Sequence, residues 1–295
     1  MIGRPDGELY TLLDDVELRE PALVIALEGW VDAGFGASAA MATLLESCNT
    51  ELLASFDNEI LIDQRARRPI ARIVDGVTES LTWPEIQLRV GSDRVGRDIL
   101  FLVGPEPDVY WSAFVDSVVD LAERFDVRLC VGLGAFPAPA PHTRPVRLTA
   151  TAPRESSRLL EQLSHTEGEL EVPAGVSAAL ELGFAQAGID MITLWARVPH
   201  YVAAMSFPQA SLALIEGLGQ VGELSLDTGT LLEAGQLAQS QINELIGTNS
   251  EHLAMVRALE ASLDATEGNA LGVDEIPSGD ELAAELEQFL RGEST

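Results

Sequence analysis

The apolar and polar positions alternate in two different rhythms along this chain, and the switches between them mark out its elements. Residues 21–29, PALVIALEG, are apolar at nearly every position, as in a strand buried on both faces. GASAAMATLLESC (36–48) follows, with Ala and Leu at helical spacing, and ELLASFD (51–57) reads as a second strand, giving a strand–helix–strand unit. IQLRV (86–90) alternates like a half-buried strand and DILFLVG (98–104) like a buried one, with the turn GSDRVGR joining them as a hairpin. Residues 109–125 carry a helical apolar stripe of Phe114, Val118, Leu121 and Phe125. VRLCVGLGAF (127–136), VRLTATA (146–152) and IDMITLWARV (189–198) read as further strands. GVSAALELGFAQAG (175–188) reads as a helix, and so does PQASLALIEGLGQ (208–220), which opens on a Pro. This alternation predicts an α/β fold, a three-layer α/β/α domain on a mixed central sheet.

The character of the chain changes near residue 222. Residues 223–295 hold 15 acidic residues against two Arg. Residues 231–247 and 250–265 read as paired amphipathic helices, with Ser250 as the expected N-cap of the second, then a linker (266–280) and a short last helix (281–292). The expected organisation is therefore an α/β/α core over 1–222 and an acidic α-helical C-terminal appendage over 223–295.

Charge narrows the function classes. The formal net charge is −29, and all 18 basic residues are Arg. A field of that sign repels phosphate backbones and anionic lipid, so neither nucleic acid nor a membrane surface is expected as a partner. Without Lys there is no P-loop lysine, no Schiff base and no pyridoxal anchor. Two Cys make neither a disulfide framework nor a zinc site, the four His are scattered, and no cofactor or metal is expected. The first twenty residues are polar, unlike a signal peptide, and no apolar run reaches the ~18 residues of a membrane helix, so a cytoplasmic protein is expected.

The loop VIALEGWVDAGFG (24–36) poses the sharpest chemical question. Its glycines at 29 and 34 match Walker A spacing, but Phe35 stands where Lys is required. Gly34, Gly36 and Ala39 match a dinucleotide fingerprint, with Asp57 downstream, yet the first Gly falls well past the strand's end. The plainer reading is a tight corner in which Gly34 supplies the backbone angles, Trp30 packs over the sheet edge and Asp32 caps the following helix. Other polar loops also follow strands: Glu106 and Asp108 in GPEPDVYW, His142 and Arg144 in GAFPAPAPHTRP, His200 and Tyr201 in VPHYVAAMSFP. Loops at the C-terminal ends of parallel strands gather in space. Glu28, Asp32, Glu106, His142, Arg144 and His200 are thus the candidates for a polar cleft supplying acid, base and an anion anchor, with Glu28, Asp32 and His142 first as acid and base. Ser206 lacks the glycines of a nucleophile elbow. Arg65, Arg67, Arg68 and Arg72 form a basic patch, read as a solvated loop balancing nearby acid.

GWVDAG, GPEPDVYW, PHTRP and VPHYVA, in that order and followed by an acidic helical tail, resemble the PAC2 family, proteins similar to proteasome assembly chaperone 2, and most closely its actinobacterial-type branch. The resemblance covers residues 20 to 265. It implies a phosphorylase/hydrolase-like α/β/α topology with a helical appendage, a homo-oligomer, with a trimer favoured, and non-enzymatic chaperone relatives that bind proteasome α-subunits. Some members carry an ATP-grasp or carboligase name, which a Lys-free chain does not suit. Chaperones that engage the α-ring often end in a hydrophobic-Tyr-any motif, whereas this chain ends RGEST. The expected function is a self-associating, non-catalytic protein-binding scaffold with a client such as a proteasome subunit. The alternative is a small-molecule hydrolase or transferase using the polar cleft.

Overall fold

In the computed structural model, which describes residues 9–29, 31–166 and 168–268, an eight-stranded mixed sheet forms the centre of the molecule. Along the chain run β1 (Tyr10–Leu12), β2 (Ala22–Glu28), α1 (Gly36–Ser47), β3 (Glu51–Phe56), α2 (Asn58–Leu61), β4 (Ile70–Val74), β5 (Val77–Thr82), β6 (Gln87–Ser92), β7 (Asp98–Pro105), α3 (Trp111–Arg124), β8 (Leu129–Ala138) and β9 (Leu148–Thr151). Then come α4 (Val176–Ala187), β10 (Met191–Pro199), α5 (Pro208–Val221), α6 (Leu231–Gly247) and α7 (Ser250–Gly268). The strand order is β1-β3-β6-β7-β2-β8-β10-β9.

Four contiguous strands, β7, β2, β8 and β10, are parallel, and the outer pairings are antiparallel. The parallel centre is covered on both faces, as its continuous apolar runs require. Ala22 and Val24 of β2 face α1 and α5, together with Phe101, Val131 and Leu214. Leu23 and Ile25, one residue out of phase, face α3 and α4 with Phe114 and Phe184. The expected hairpin is β6–β7, and Asp93 organises its turn by accepting the Val95 and Arg97 amides at 3.0 and 2.8 Å. The strand–helix–strand unit carries a refinement. β3 runs the same way as β2, but β7 and β6 lie between them, so α1 crosses a longer stretch of sheet than an adjacent crossover.

The acidic segment packs on the α1–α5 layer. Leu231, Ile242 and Ile246 of α6 and Val256 of α7 belong to the same buried cluster as α1 and α5. The cap of α7 is Asn249, one residue before the expected Ser250: its Oδ1 accepts the Glu251 amide at 2.8 Å and its carbonyl accepts the Leu253 amide. α7 continues to Gly268, into the stretch read as a linker. The rest of that stretch, the helix expected over 281–292 and the expected packing of Trp30 lie outside the described residues.

β4 and β5 form a separate two-stranded ribbon. All of β5, and every residue of β4 except the half-buried Val74, is exposed. Register puts Ala71, Ile73, Thr78 and Leu81 on one face, while Arg72 and Glu79 pair on the other.

Candidate functional site

The parallel strands end together at Glu28, Pro105, Ala138 and Pro199, so the loops carrying all six candidate residues start from one rim of the sheet. They then separate. Glu28 is exposed at the end of β2, and its carbonyl accepts the Glu106 amide at 2.7 Å. The Glu106 carboxylate turns to the α3–α4 side, where Oε2 accepts the Val176 amide at 2.9 Å and fills the first turn of α4. A Cβ on Gly29 would stand 2.8 Å from that oxygen, so the glycine leaves room for the acid.

Asp32 lies on the opposite, α1 side. Its Oδ1 accepts the Ala37 amide at 2.7 Å and its Oδ2 the Ser38 amide at 3.0 Å. The corner between is left-handed at two residues, Gly34 (φ +65°) and Phe35 (φ +54°). Gly34 donates to Ala203 O at 2.7 Å and accepts from the Phe207 amide at 2.9 Å, and a Cβ there would meet Phe207 Cβ at 2.8 Å. The amides a phosphate would need at this helix start are therefore already satisfied by a carboxylate, and the glycine surface is filled by Phe207. Asp57 is committed elsewhere, accepting the Glu59 and Ile60 amides as the cap of α2.

His142, Arg144 and His200 do come together, along with residues that sequence did not single out. His142 is 2 % exposed. The Tyr201 hydroxyl accepts the His142 amide at 2.8 Å and lies 2.7 Å from Nδ1, while Nε2 lies 3.0 Å from Asn243 Oδ1 of α6. Asn243 Oδ1 can only accept, so Nε2 of the neutral ring carries the proton, and Nδ1 is left to accept from the Tyr201 hydroxyl. Burial lowers the His142 pKa, against the opposing effects of the Asn243 bond and the Glu260 charge, and burial pushes Tyr201 up to about 12. His200 packs edge-on against Tyr201, ring centroids 5.3 Å apart. Arg144 is held by α7: Nε and Nη2 donate to the two carboxylate oxygens of Asp264 at 3.1 and 2.8 Å, and Nη1 donates to Glu260 at 3.2 Å. Thr143 also donates to Glu260, and the Arg144 bonds hold the Asp264 carboxyl below its ordinary pKa. Beside this knot a narrow cleft is lined by Arg144, Arg147, Arg197, Pro199, Phe207 and Leu263.

What the arrangement does chemically is fasten elements to one another. Glu106 binds α4, Asp32 binds α1, His142 binds α6 and Arg144 binds α7, each through its own bonds. Asp108, in the same rim loop as Glu106, accepts the Asp63 amide at 2.8 Å and Arg67 Nε at 3.2 Å, so part of the basic patch balances acid. Among the described residues, no group of three His, Cys, Asp or Glu side chains converges as a metal site requires, and no helix is long and apolar enough to cross a membrane. Tyr201, the near partner of His142, stands in a rim loop the sequence marks out, but Asn243, Glu260 and Asp264 lie over a hundred positions downstream, with no local pattern announcing them.

The PAC2 family model matches residues 26–246, from within β2 through α6. The chain belongs to the PAC2 family. A PAC2 family protein from Streptomyces avermitilis is 33 % identical, over 80 % of this chain and 99 % of its own, with a TM-score of 0.72. A Mycobacterium tuberculosis proteasome-assembly chaperone homologue is 32 % identical over 80 % of this chain and 99 % of its own, with a TM-score of 0.74. A second M. tuberculosis protein, of unknown function, is 35 % identical over 91 % of this chain and 96 % of its own, with a TM-score of 0.83. No curated protein matches the chain.

Proposed function

We propose that this PAC2 protein is a non-enzymatic, self-associating scaffold that binds other proteins in the cytoplasm, with an assembly-chaperone role like that named for its M. tuberculosis homologue. The observation that carries this reading is the β4–β5 ribbon. Ile73 is 62 % exposed, Leu81 47 % and Trp83, just beyond the strand, 46 %. An isolated two-stranded ribbon is marginal in water, and a row of apolar side chains on its face favours a protein partner. Arg65, Arg67 and Arg68 precede the ribbon and Arg72 lies within it, in a chain of net charge −29, so the charge complement of this region is the acidic surface of a second copy. A closed ring of copies, a trimer, covers every ribbon at once.

The polar rim supports the non-catalytic half of the reading, because the Asp32 and Glu106 carboxylates, the His142 imidazole and the Arg144 guanidinium are engaged in holding helices in place. A protein client, such as a proteasome subunit, then meets the assembled surface, with an on-rate that falls as salt screens the acidic field. Light scattering at micromolar concentration tests the assembly. The expected mass is an integral multiple of 31.6 kDa, and a mass equal to the single chain overturns it.

A further inference from the structure

Besides its apolar packing on α5 and the Gln209 bonds to Gly235 and Gln239, the α6–α7 hairpin is tied to the sheet rim by two polar fastenings of different character. One is the ion-pair knot of Arg144 with Glu260 and Asp264, which stays charged at any pH near neutrality. The other is the neutral chain Tyr201–His142–Asn243. We propose that His142 is an acid-sensitive latch: its protonation releases α6, and with it α7, from the rim of the sheet.

The geometry supplies the reason. In the closed form the Tyr201 hydroxyl proton has Nδ1 as its acceptor, and the Tyr201 oxygen already accepts the His142 amide. A proton arriving on Nδ1 removes that acceptor: the Tyr201 hydroxyl must turn its own proton away to receive Nδ1–H, and no other acceptor for that proton stands beside it among the described residues. Asn243 can receive the Nε2 proton in either state, so it does not offset the loss. The groups facing the ring from the surrounding elements are few. The turn after β10 offers Tyr201 and, behind it, His200. The ring's own loop offers Arg144 and Thr143, α6 offers Asn243, and α7 offers Glu260. Glu260 favours the imidazolium, but Arg144 and Thr143 both draw on that carboxylate, and burial outweighs it.

Linkage fixes the direction. A group whose pKa is depressed when covered binds its proton more readily when uncovered, so lowering the pH through the ordinary value of 6.5 favours the open form. One pH unit below that value, an uncovered imidazole gains about tenfold over one kept neutral, which is the ceiling on the effect. Opening uncovers the cleft at Pro199 and Phe207 and frees the carboxylates of α7 from Arg144. The inference stands on this fastening alone and does not depend on the assembly proposed above.

Amide hydrogen exchange of residues 231–265 on the full chain tests it, at about pH 7.5 and about pH 5.5, corrected for intrinsic exchange. The expected result is an acid acceleration of at least about threefold and at most about tenfold, confined to α6 and α7 and absent in His142→Gln. Because that variant removes buried bonds, Asn243→Asp is the companion: a carboxylate on Nε2 stabilises the imidazolium, so acid release weakens or reverses. Ring-proton NMR is tractable with only four His in the chain. The latch is overturned if His142 titrates at the ordinary value in the folded protein, if protection of α6 and α7 is unchanged in acid, or if His142→Gln retains the acceleration.

Discussion

Asp32 Oδ1 accepts the amide proton of Ala37 at 2.7 Å, reaching past two left-handed residues to close the first turn of α1. With Oδ2 on Ser38, one carboxylate satisfies two amides that the helix cannot. Asp32→Ala is expected to cost about 1–2 kcal/mol, read by urea denaturation. Asp32→Asn should recover only part of this, since an amide NH₂ facing a backbone N–H cannot replace the second acceptor. An unchanged midpoint for Asp32→Ala would remove Asp32 from the cap.

The second prediction concerns the exposed ribbon. Ile73 and Leu81 share a face and are both exposed among the described residues. Changing both to Asp is expected to reduce the scattering mass to that of one chain while changing the unfolding free energy of that chain by no more than about 0.5 kcal/mol per site. An assembly that survives both substitutions places the subunit contact elsewhere.

The core of this fold was legible because its signals are local. PALVIALEG and DILFLVG are apolar in every register, which only a strand covered on both faces tolerates, and they became β2 and β7. The corner at Gly34 was legible too, since an Asp four residues before an Ala- and Leu-rich run is a cap in search of a helix. The ribbon was missed although Asp75-Gly76, both at positive φ (50° and 83°), is a strong short-range hairpin signal. The flanking strands IARIV and VTESLT are exposed and weakly patterned, and a search for buried periodicity passes over them. The rim chemistry was half legible. Its residue types stood in the right loops, Tyr201 among them, but the partners on α6 and α7 gave no sign. Asn243 meets His142 from 101 positions away, on a helix whose pattern reports only its apolar face.

Arg144 provides a third test. Its paired side chains are partly exposed, so each ion pair contributes little and salt screens it. Arg144→Ala is expected to cost no more than about 1 kcal/mol of global stability but to raise amide exchange in α7 selectively, and molar salt should reproduce part of the effect in the parent protein. Equal exchange in the two proteins at low salt would show that the Arg144 ion pairs do not hold α7.

The last prediction rests on Glu181 of α4, whose Oε1 accepts the Thr193 hydroxyl at 2.5 Å and the Thr151 hydroxyl at 2.9 Å, tying α4 to two strands of the sheet. Trp195 donates to the same Thr151 hydroxyl. Burial raises the Glu181 pKa above the ordinary 4.5, and the two threonine bonds only partly oppose it. The folded state therefore holds this proton more tightly than the unfolded chain, and its contribution to stability falls as the pH rises through the folded value. At neutral pH the charge is a net cost. Glu181→Gln keeps a carbonyl oxygen for the two hydroxyls and removes that charge, so it is expected to raise the urea midpoint at about pH 7. In acid, below the ordinary carboxylate pKa, both side chains are neutral and the two proteins should unfold at the same midpoint. Urea denaturation at the two pH values, followed by Trp fluorescence, reads both outcomes. A variant that is less stable than the parent at neutral pH would mean that the charge on Glu181, held by its two hydroxyl bonds, stabilises the α4 layer despite its burial.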